Sequence, residues 1–155
     1  MFNLKESKGA YKDLIGECMF KLTRRCAVIT KYWSKTRYFA IFGNHLTRQH
    51  MEFLDDYWYS IDGIEIDFSK EKKVILYEIK TKNINKKISG FNPKITEKAV
   101  LLYKKAIDNG FSVQIATICF HNNWNYSIQL LDFAEQNYQI GEQKPHDRQC
   151  LVDFV

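Results

Sequence analysis

Two short segments joined by a polar turn constrain the fold of this chain more than any other feature. Apolar and acidic side chains alternate through residues 63–68, and a second alternating segment covers residues 73–81, after the turn at residues 69–72. Successive side chains of a strand point to opposite faces, so this pattern predicts an antiparallel β-hairpin. On its second strand, Glu78 and Lys80 lie two residues apart and therefore share one face.

One helix is predicted before the hairpin and another after it. The first covers about residues 9–25, where apolar residues recur at steps of three and four and predict one buried stripe: Tyr11, Leu14, Ile15, Cys18 and Leu22. Asp13 and Glu17 lie one turn apart beside that stripe, so their carboxylates share a helix face. The second helix covers residues 96–109, with Thr96 as its N-cap.

The remaining segments complete an α/β pattern. Val, Ile and aromatic residues predict further strands at 27–33, 37–42, 112–120 and 126–131, with a helical or irregular insert at about 46–57. This order predicts an α/β fold with a small mixed β-sheet and helices on both of its faces. A length of 155 residues suits a single domain, residues 1–155, with its core at about 9–131 and an acidic tail at 132–155.

The net charge of +5 is unevenly distributed along the chain. Residues 51–67 contain six acidic residues and no basic one, whereas residues 1–50 and 68–105 are both strongly basic. A basic surface around concentrated carboxylates suits a protein that holds a polyanion such as DNA beside bound metal ions. The alternative is a solvated surface on which these blocks have no function.

Other features exclude whole classes of protein. The first residues contain no apolar run like that of a signal peptide, and nowhere do eighteen or more apolar residues follow one another. We therefore expect an intracellular, cytoplasmic protein with no membrane partner. The four cysteines form no C-x-x-C pair, and Cys18 and Cys119 are predicted to be core thiols.

The hairpin also brings together the residue types of a metal-dependent hydrolase. We expect it to place Asp67, near the end of its first strand, close to Glu78, so that both carboxylates hold one Mg²⁺ ion, or Mn²⁺ in its place. The backbone carbonyl of Ile79 is a further candidate ligand. Lys80 is expected to reach the same phosphate or the attacking water.

Two other carboxylates lie near the same strand. Asp62 precedes Gly63, and this pair is interpreted mainly as a turn. Glu65 shares a strand face with Asp67 and is either an auxiliary ligand or a solvated acid. Both stay open as alternatives to Asp67.

The spacing of these residues resembles that of a known superfamily. Asp67, ten intervening residues and Glu78-Ile79-Lys80 resemble the motif of the PD-(D/E)XK nucleases, although Ile66 replaces the usual Pro. The order of elements is similar too, and Lys8-Gly9-Ala10 with Gly16-Glu17 resembles the helix opening of archaeal Holliday-junction resolvases. The resemblance implies a restriction-endonuclease-like fold. It also implies that Glu17, or Asp13 in another register, is a metal-binding helix carboxylate.

The resemblance implies a Mg²⁺-dependent DNA endonuclease with Glu17, Asp67, Glu78 and Lys80 as catalytic residues. The lysines of the following loop and helix are candidate DNA contacts: Lys82, Lys86, Lys87, Lys94, Lys98, Lys104 and Lys105. Four aromatic residues either stack on unpaired bases or pack in the core or at a dimer surface: Trp33, Tyr57, Trp58 and Tyr59. Two alternatives stay open: a structure-selective resolvase that cuts branched DNA as a homodimer, and a catalytically inactive nucleic-acid-binding module with the same fold.

Overall fold

The computed structural model of the protein describes residues 9–69, 71–83, 93–121, 125–143 and 148–153. The α-helices are α1 (Gly9–Thr23), α2 (Lys35–Phe42), α3 (Arg48–Tyr57) and α4 (Glu97–Asp108). The strands are β1 (Val28–Ile29), β2 (Gly63–Asp67), β3 (Lys73–Asn83), β4 (Lys94–Thr96), β5 (Ser112–Phe120), β6 (Tyr126–Asp132), β7 (Asn137–Gln143) and β8 (Arg148–Asp153). Short 3₁₀ helices cover Thr30–Tyr32, Gly43–His45, Trp58–Ser60 and Phe133–Glu135.

Five strands form the central sheet in the order β1-β2-β3-β5-β6. The pairs β1–β2, β2–β3 and β5–β6 are antiparallel, whereas β3 and β5 are parallel. A parallel pair needs a crossover connection, and α4 lies in the connection between β3 and β5. The predicted α/β fold with a mixed sheet is confirmed. A second, three-stranded sheet has the order β4-β8-β7, so part of the predicted tail pairs with the segment before α4.

Apolar side chains cover both faces of the central sheet. On one face, Phe20 of α1 packs edge-on against Tyr77 of β3, with ring centroids 4.9 Å apart. On the other face, Leu76 of β3 belongs to a larger core that includes Trp58 and Tyr103 of α4. Because strand side chains alternate, Glu78 and Lys80 lie on the α4 face and Tyr77 on the α1 face.

The ends of α4 follow the sequence signals. The Thr96 side chain accepts a hydrogen bond from the Ala99 backbone N–H, as an N-cap does. Gly110, with a φ of 89°, follows the helix in a left-handed conformation that favours glycine. Its carbonyl lies 3.1 Å from Nε2 of the buried His50, which ties α3 to the end of α4.

One predicted strand is wrong, and another is shorter than expected. Residues 37–42 belong to α2, because Ser34 caps the helix by accepting from the Arg37 N–H, and the rings of Tyr38 and Phe42 contact each other one turn apart. Within residues 27–33, the strand is limited to β1, and the chain then enters a 3₁₀ helix at Thr30–Tyr32. The insert predicted at 46–57 contains α3, as expected.

Membrane crossing would require a longer and more apolar helix than any found in the described part of the chain.

Candidate functional site

The register of the hairpin pairs Glu78 with Asp62, which immediately precedes β2. Gly63 is the partner of Tyr77, so the next residues outward, Asp62 and Glu78, face each other across the two strands. The Asp62 backbone N–H donates to the Tyr77 carbonyl at 3.3 Å, which continues the pairing. Directly opposite residues of an antiparallel pair share a sheet face, so both carboxyl groups point towards α4.

The carboxyl groups of Asp62 and Glu78 lie close enough for the charge of one to act on the other. The Ile79 backbone N–H donates to Asp62 Oδ2 at 2.8 Å. Burial and then the negative charge of Glu78 raise the pKa of Asp62 to about 7, although the Ile79 N–H and the Lys80 ammonium act in the opposite direction. The pair therefore holds a proton that a single exposed aspartate would lose near pH 4.

Two further side chains hold Glu78 in place. The ammonium of Lys80 lies 3.2 Å from Glu78 Oε1, and its side chain is 34% exposed, so it borders solvent. The hydroxyl of the fully buried Tyr103, on α4, donates a short hydrogen bond to Glu78 Oε2. Burial and the charge of Glu78 raise the pKa of Tyr103 well above its usual value, so the hydroxyl stays a donor. Each oxygen of Glu78 thus has its own partner.

No protein-family model matches this chain, and no curated protein sequence matches it. The site is therefore interpreted from its own geometry. In the described residues, no group of three or more His, Cys, Asp or Glu side chains is arranged to hold a metal ion. Within the described residues, the site has two carboxylates, Asp62 and Glu78.

Asp67 lies at the opposite end of β2 from this site. It pairs with Lys73 beside the turn, and its exposed carboxylate accepts from the Ser69 N–H at 2.9 Å. That hydrogen bond lowers the pKa of Asp67, as expected for a turn aspartate. Five residues of strand, or about 17 Å, separate Asp67 from Asp62. The expected proximity of Asp67 and Glu78 is therefore wrong.

The helix carboxylates lie on the other side of the sheet. Helix α1 covers the Tyr77 face, where a Cβ on Gly16 would lie 2.0 Å from Oγ1 of Thr81. Glu17 forms an ion pair with Lys31 at 2.5 Å and accepts from the Tyr32 hydroxyl at 3.0 Å. The exposed Asp13 is one turn away on the same helix. The structure brings neither carboxylate to Glu78.

Glu65 also belongs to the α1 face. It is buried, accepts from the Arg24 guanidinium at 2.6 Å and from the Tyr77 hydroxyl at 3.1 Å, and so is neither a solvated acid nor part of the site. Burial of the guanidinium lowers the pKa of Arg24, but Tyr77 and then the hydrogen bond and charge of Glu65 raise it by more, so the pKa is above its usual value. This ion pair joins the residue that follows α1 to β2.

The lysines predicted to contact DNA lie in different environments. Lys82 is exposed and, two residues after Lys80, follows it on the same face of β3. Three others are exposed around α4: Lys94, Lys98 and Lys104. The Lys105 ammonium donates to the Tyr57 hydroxyl at 2.9 Å and lies over the Tyr57 ring. Lys86 and Lys87 lie outside the described residues, as does Lys8 of the helix opening.

The aromatic residues that were candidates for stacking on bases also differ in burial. Trp58 is buried, and its indole N–H donates to the carbonyls of Thr30 and Trp33, so it packs in the core. Trp33 is half-buried and lies under the Arg37 guanidinium, 4.3 Å from the ring centroid. Tyr59 is 80% exposed.

Asp62 was interpreted mainly as a turn residue, and Tyr103 was not predicted as a site residue. The signal for Asp62 is the hairpin register, but it is accurate only to one residue. The predicted turn at residues 69–72 pairs Glu78 with Gly63, whereas the structure pairs Asp67 with Lys73, so partner residue numbers sum to 140 and Glu78 lies opposite Asp62. The signal for Tyr103 is weaker. Its place on the buried face of α4 predicts contact with the sheet but not with a particular strand residue. The predicted ligand role of the Ile79 carbonyl stays a prediction, because the contact found is through its N–H.

Proposed function

We propose that the protein is a Mg²⁺-dependent endonuclease of DNA, in which Asp62 and Glu78 hold the metal ion and Lys80 acts at the scissile phosphate. The observation that carries the proposal is the close pair of carboxyl groups, Asp62 and Glu78, with the Lys80 ammonium 3.2 Å from Glu78. Carboxylates with an adjacent lysine are what metal-assisted phosphodiester hydrolysis requires. Asp62 takes the role that the sequence spacing suggested for Asp67.

The donor groups of this site fit a hard divalent cation. Mg²⁺ is usually bound by one or two carboxylates together with waters and substrate phosphate oxygens, so Asp62 and Glu78 are a sufficient protein contribution. Burial and the charge of Glu78 raise the pKa of Asp62, which supports the view that two negative charges there need compensation. The single Lys80 ammonium leaves one charge uncompensated. The Ile79 carbonyl remains a candidate third ligand.

Each side chain then has a defined task. Asp62 and Glu78 bind the cation, and the cation, when bound, supplies Lewis acidity and lowers the pKa of a water molecule. Tyr103 orients Glu78 by donating to one oxygen and leaves the other directed towards Lys80. Lys80, at the solvent border of the site, holds a phosphate oxygen or orients the attacking water.

The order of elements supports the same proposal. Apart from the segment with α2 and α3 between β1 and β2 and the short β4, the chain has a helix, three antiparallel strands, a crossover helix and a strand parallel to β3, as α1, β1, β2, β3, α4 and β5. The resemblance to the PD-(D/E)XK nucleases implies a helix, then a β-meander that bears the aspartate and E-x-K, then a second helix and further strands. Asp62 immediately precedes β2, and Glu78-Ile79-Lys80 lies on β3. Two parts of that resemblance, Asp67 and the α1 carboxylate, do not reach this site.

DNA as the substrate is supported by charge. The exposed lysines Lys82, Lys94, Lys98 and Lys104 follow the site along β3 and around α4. Lys82 shares the strand face of Lys80, about 7 Å further along. Positive charge beside a phosphodiesterase site raises the local concentration of a polyanion and positions its backbone.

The test is a cleavage panel. Labelled single-stranded, duplex, flapped and four-way-junction DNA, and a single-stranded RNA, are incubated with the protein and Mg²⁺ or Mn²⁺. We expect cutting of DNA that Asp62→Asn and Lys80→Ala each reduce by about 100-fold or more. The matched control is Asp67→Asn, which removes the aspartate at the far end of β2 and should retain the wild-type rate.

Other outcomes would change the proposal. Cutting that depends on Asp67 and survives Asp62→Asn would return the metal-binding role to Asp67. Binding of every substrate with no cutting under either metal would favour the inactive nucleic-acid-binding module. Symmetric nicks confined to the four-way junction would select the resolvase.

A further inference from the structure

A cavity lies between the end of α1, helix α2 and the end of β2 that is far from Asp62. Its volume is about 350 Å³, which is near the lower end of the range for small-molecule sites. The turn after α1 and strand β1 form one wall, and α2 and the end of β2 form the other. Its aromatic lining residues are Trp33, Tyr38, Phe42 and Phe68.

These aromatic side chains offer a surface on which a planar ring can pack. The ring centroids of Tyr38 and Phe42 lie 4.7 Å apart, and that of Trp33 lies 6.2 Å from Tyr38. Phe68 is 59% exposed, and its ring contacts His45 edge-to-face with centroids 4.8 Å apart. Aromatic walls with a few polar groups are typical of ligand sites, so we asked which polar groups border this cavity.

The charged residues that line the cavity are basic, Lys21 and Arg25. The Lys21 ammonium donates to the backbone carbonyls of Arg25 and Ala27. Because an ammonium has three donors, a further one can donate to a ligand. Arg25 is exposed, and no described acidic side chain forms an ion pair with it.

The acidic side chains of β2 belong to the other face of the sheet. Glu65 and Asp67 flank Ile66, which lines the cavity, and successive strand residues point to opposite faces. Glu65 is also paired with the Arg24 guanidinium at 2.6 Å. The cavity therefore combines aromatic walls with positive charge.

We infer that this cavity binds a nucleobase that carries a phosphate, with the base against the aromatic wall and the phosphate at Arg25 and Lys21. A guanidinium can donate two parallel hydrogen bonds to a phosphate, and a phosphate monoester carries nearly two negative charges at neutral pH. Two neighbouring cations match that charge. Any base can pack on aromatic side chains, because every base has a π-face.

A nucleotide uses both features of the cavity, whereas simpler ligands use one. An apolar molecule would leave the two cations without a partner, and inorganic phosphate would leave the aromatic wall uncovered. A free mononucleotide and the phosphorylated 5′ end of a DNA strand both present the required chemistry. The experiment below distinguishes these two sources.

This inference does not rest on the proposed nuclease function. The cavity lies at the Asp67 end of β2, and Asp62 lies beyond the other end, about 17 Å away along the strand. Binding is therefore measured without divalent cations, and Asp62→Asn should leave it unchanged. Loss of cleavage with this binding intact would contradict the nuclease proposal alone.

Titration calorimetry with the full-length protein measures the affinity. The ligands are dAMP, deoxyadenosine and deoxyribose 5-phosphate, at one ionic strength. We expect dAMP to bind at least about fivefold more tightly than either of its parts. Arg25→Gln should raise the dissociation constant of dAMP about tenfold, and Phe68→Ala should raise it about fivefold or more.

Matched control variants replace residues of the same kinds outside the cavity. Arg48→Gln removes an exposed arginine of α3, and Tyr59→Ala removes a tyrosine that is 80% exposed. Neither should alter dAMP binding. Because Arg25 and Phe68 are also exposed, both cavity variants should keep the melting temperature of the wild type.

A single-stranded oligonucleotide with a 5′-terminal adenine, with and without its 5′-phosphate, separates the two sources. Tighter binding of the phosphorylated strand than of dAMP identifies the strand end as the ligand, and equal or weaker binding identifies the free nucleotide. Three results would overturn the inference: no dAMP binding at millimolar concentration, dAMP binding unaffected by Arg25→Gln and Phe68→Ala, or equal affinities for dAMP and deoxyadenosine.

Discussion

Replacing Asp62 by Asn should stabilise the protein at neutral and alkaline pH. Asn has nearly the same shape as protonated Asp, so its Oδ1 can still accept from the Ile79 N–H, and its amide can donate to Glu78. The substitution thus keeps the hydrogen bond from the Ile79 N–H and a polar contact with Glu78 but removes the ionisable group. Glu78 then keeps its ion pair with Lys80 and no longer faces a second carboxylate.

The size of the effect follows from the pKa of Asp62. Burial and Glu78 raise it from 3.8 to about 7 in the folded protein. Because the folded state holds this proton more tightly than the unfolded state, the free energy of unfolding falls as the pH rises from about 4 to about 7, and then levels off. At about 1.36 kcal/mol per tenfold change in proton affinity, the loss is at most about 4 kcal/mol. We expect Asp62→Asn to recover about 2 to 4 kcal/mol of it at pH 8.

Urea denaturation without divalent cations, at several pH values between 4 and 8, measures this directly. Tryptophan fluorescence is a suitable probe, because the chain has three tryptophans and Trp58 is buried. The stability of the variant should depend less on pH than that of the wild type. The control is Asp67→Asn, whose lowered pKa predicts no gain at pH 8. Equal stabilities of wild type and Asp62→Asn at pH 8, with parallel pH profiles, would refute the reasoning.

Three further substitutions test other contacts of the fold and the site. Tyr103→Phe removes the buried donor to Glu78 and should destabilise the protein by about 1–3 kcal/mol. It should also raise the Mg²⁺ concentration that gives half-maximal cleavage. An unchanged metal dependence would exclude the orienting role of Tyr103. Gly16→Ala places a Cβ 2.0 Å from Oγ1 of Thr81, so we expect a net loss of about 1–3 kcal/mol in urea denaturation, partly restored by Thr81→Ala. Gly110→Ala forces a side chain onto a φ of 89° and should lower the unfolding free energy by about 1–2 kcal/mol; a melting temperature equal to that of the wild type would contradict this.

Elements with strong local signals were predictable. The alternation at 63–68 and 73–81 produced β2 and β3, and the Thr96 cap and amphipathic spacing produced α4. Both follow from contacts within a few residues. Residues 37–42 were not predictable from composition, because β-branched and aromatic residues also suit a helix when they pack at i and i+4, as Tyr38 and Phe42 do.

The residue types of the candidate site were predictable from the sequence, but only some of the residues were. Glu78 and Lys80 share a strand face by simple alternation, and the structure places their charged atoms 3.2 Å apart. The choice between Asp62 and Asp67 depended on pairing register, which shifts the partner of Glu78 along β2. Counting residues back from the predicted turn at 69–72 gives Gly63, the neighbour of Asp62, as the partner of Glu78, whereas the spacing of the motif favoured Asp67.

The sequence by itself determined three things: which segments have the alternating pattern of a strand, which have apolar residues at the spacing of a helix, and where acidic and basic residues concentrate. Only the tertiary structure decided which carboxylates meet, because Asp62 and Glu78 are sixteen residues apart and come together through strand pairing. It also decided which side of α1 is buried. Close approach at Gly16 turns Phe20 towards the sheet and leaves Leu14 and Leu22 outside, and this contact involves a strand that the helix sequence does not specify.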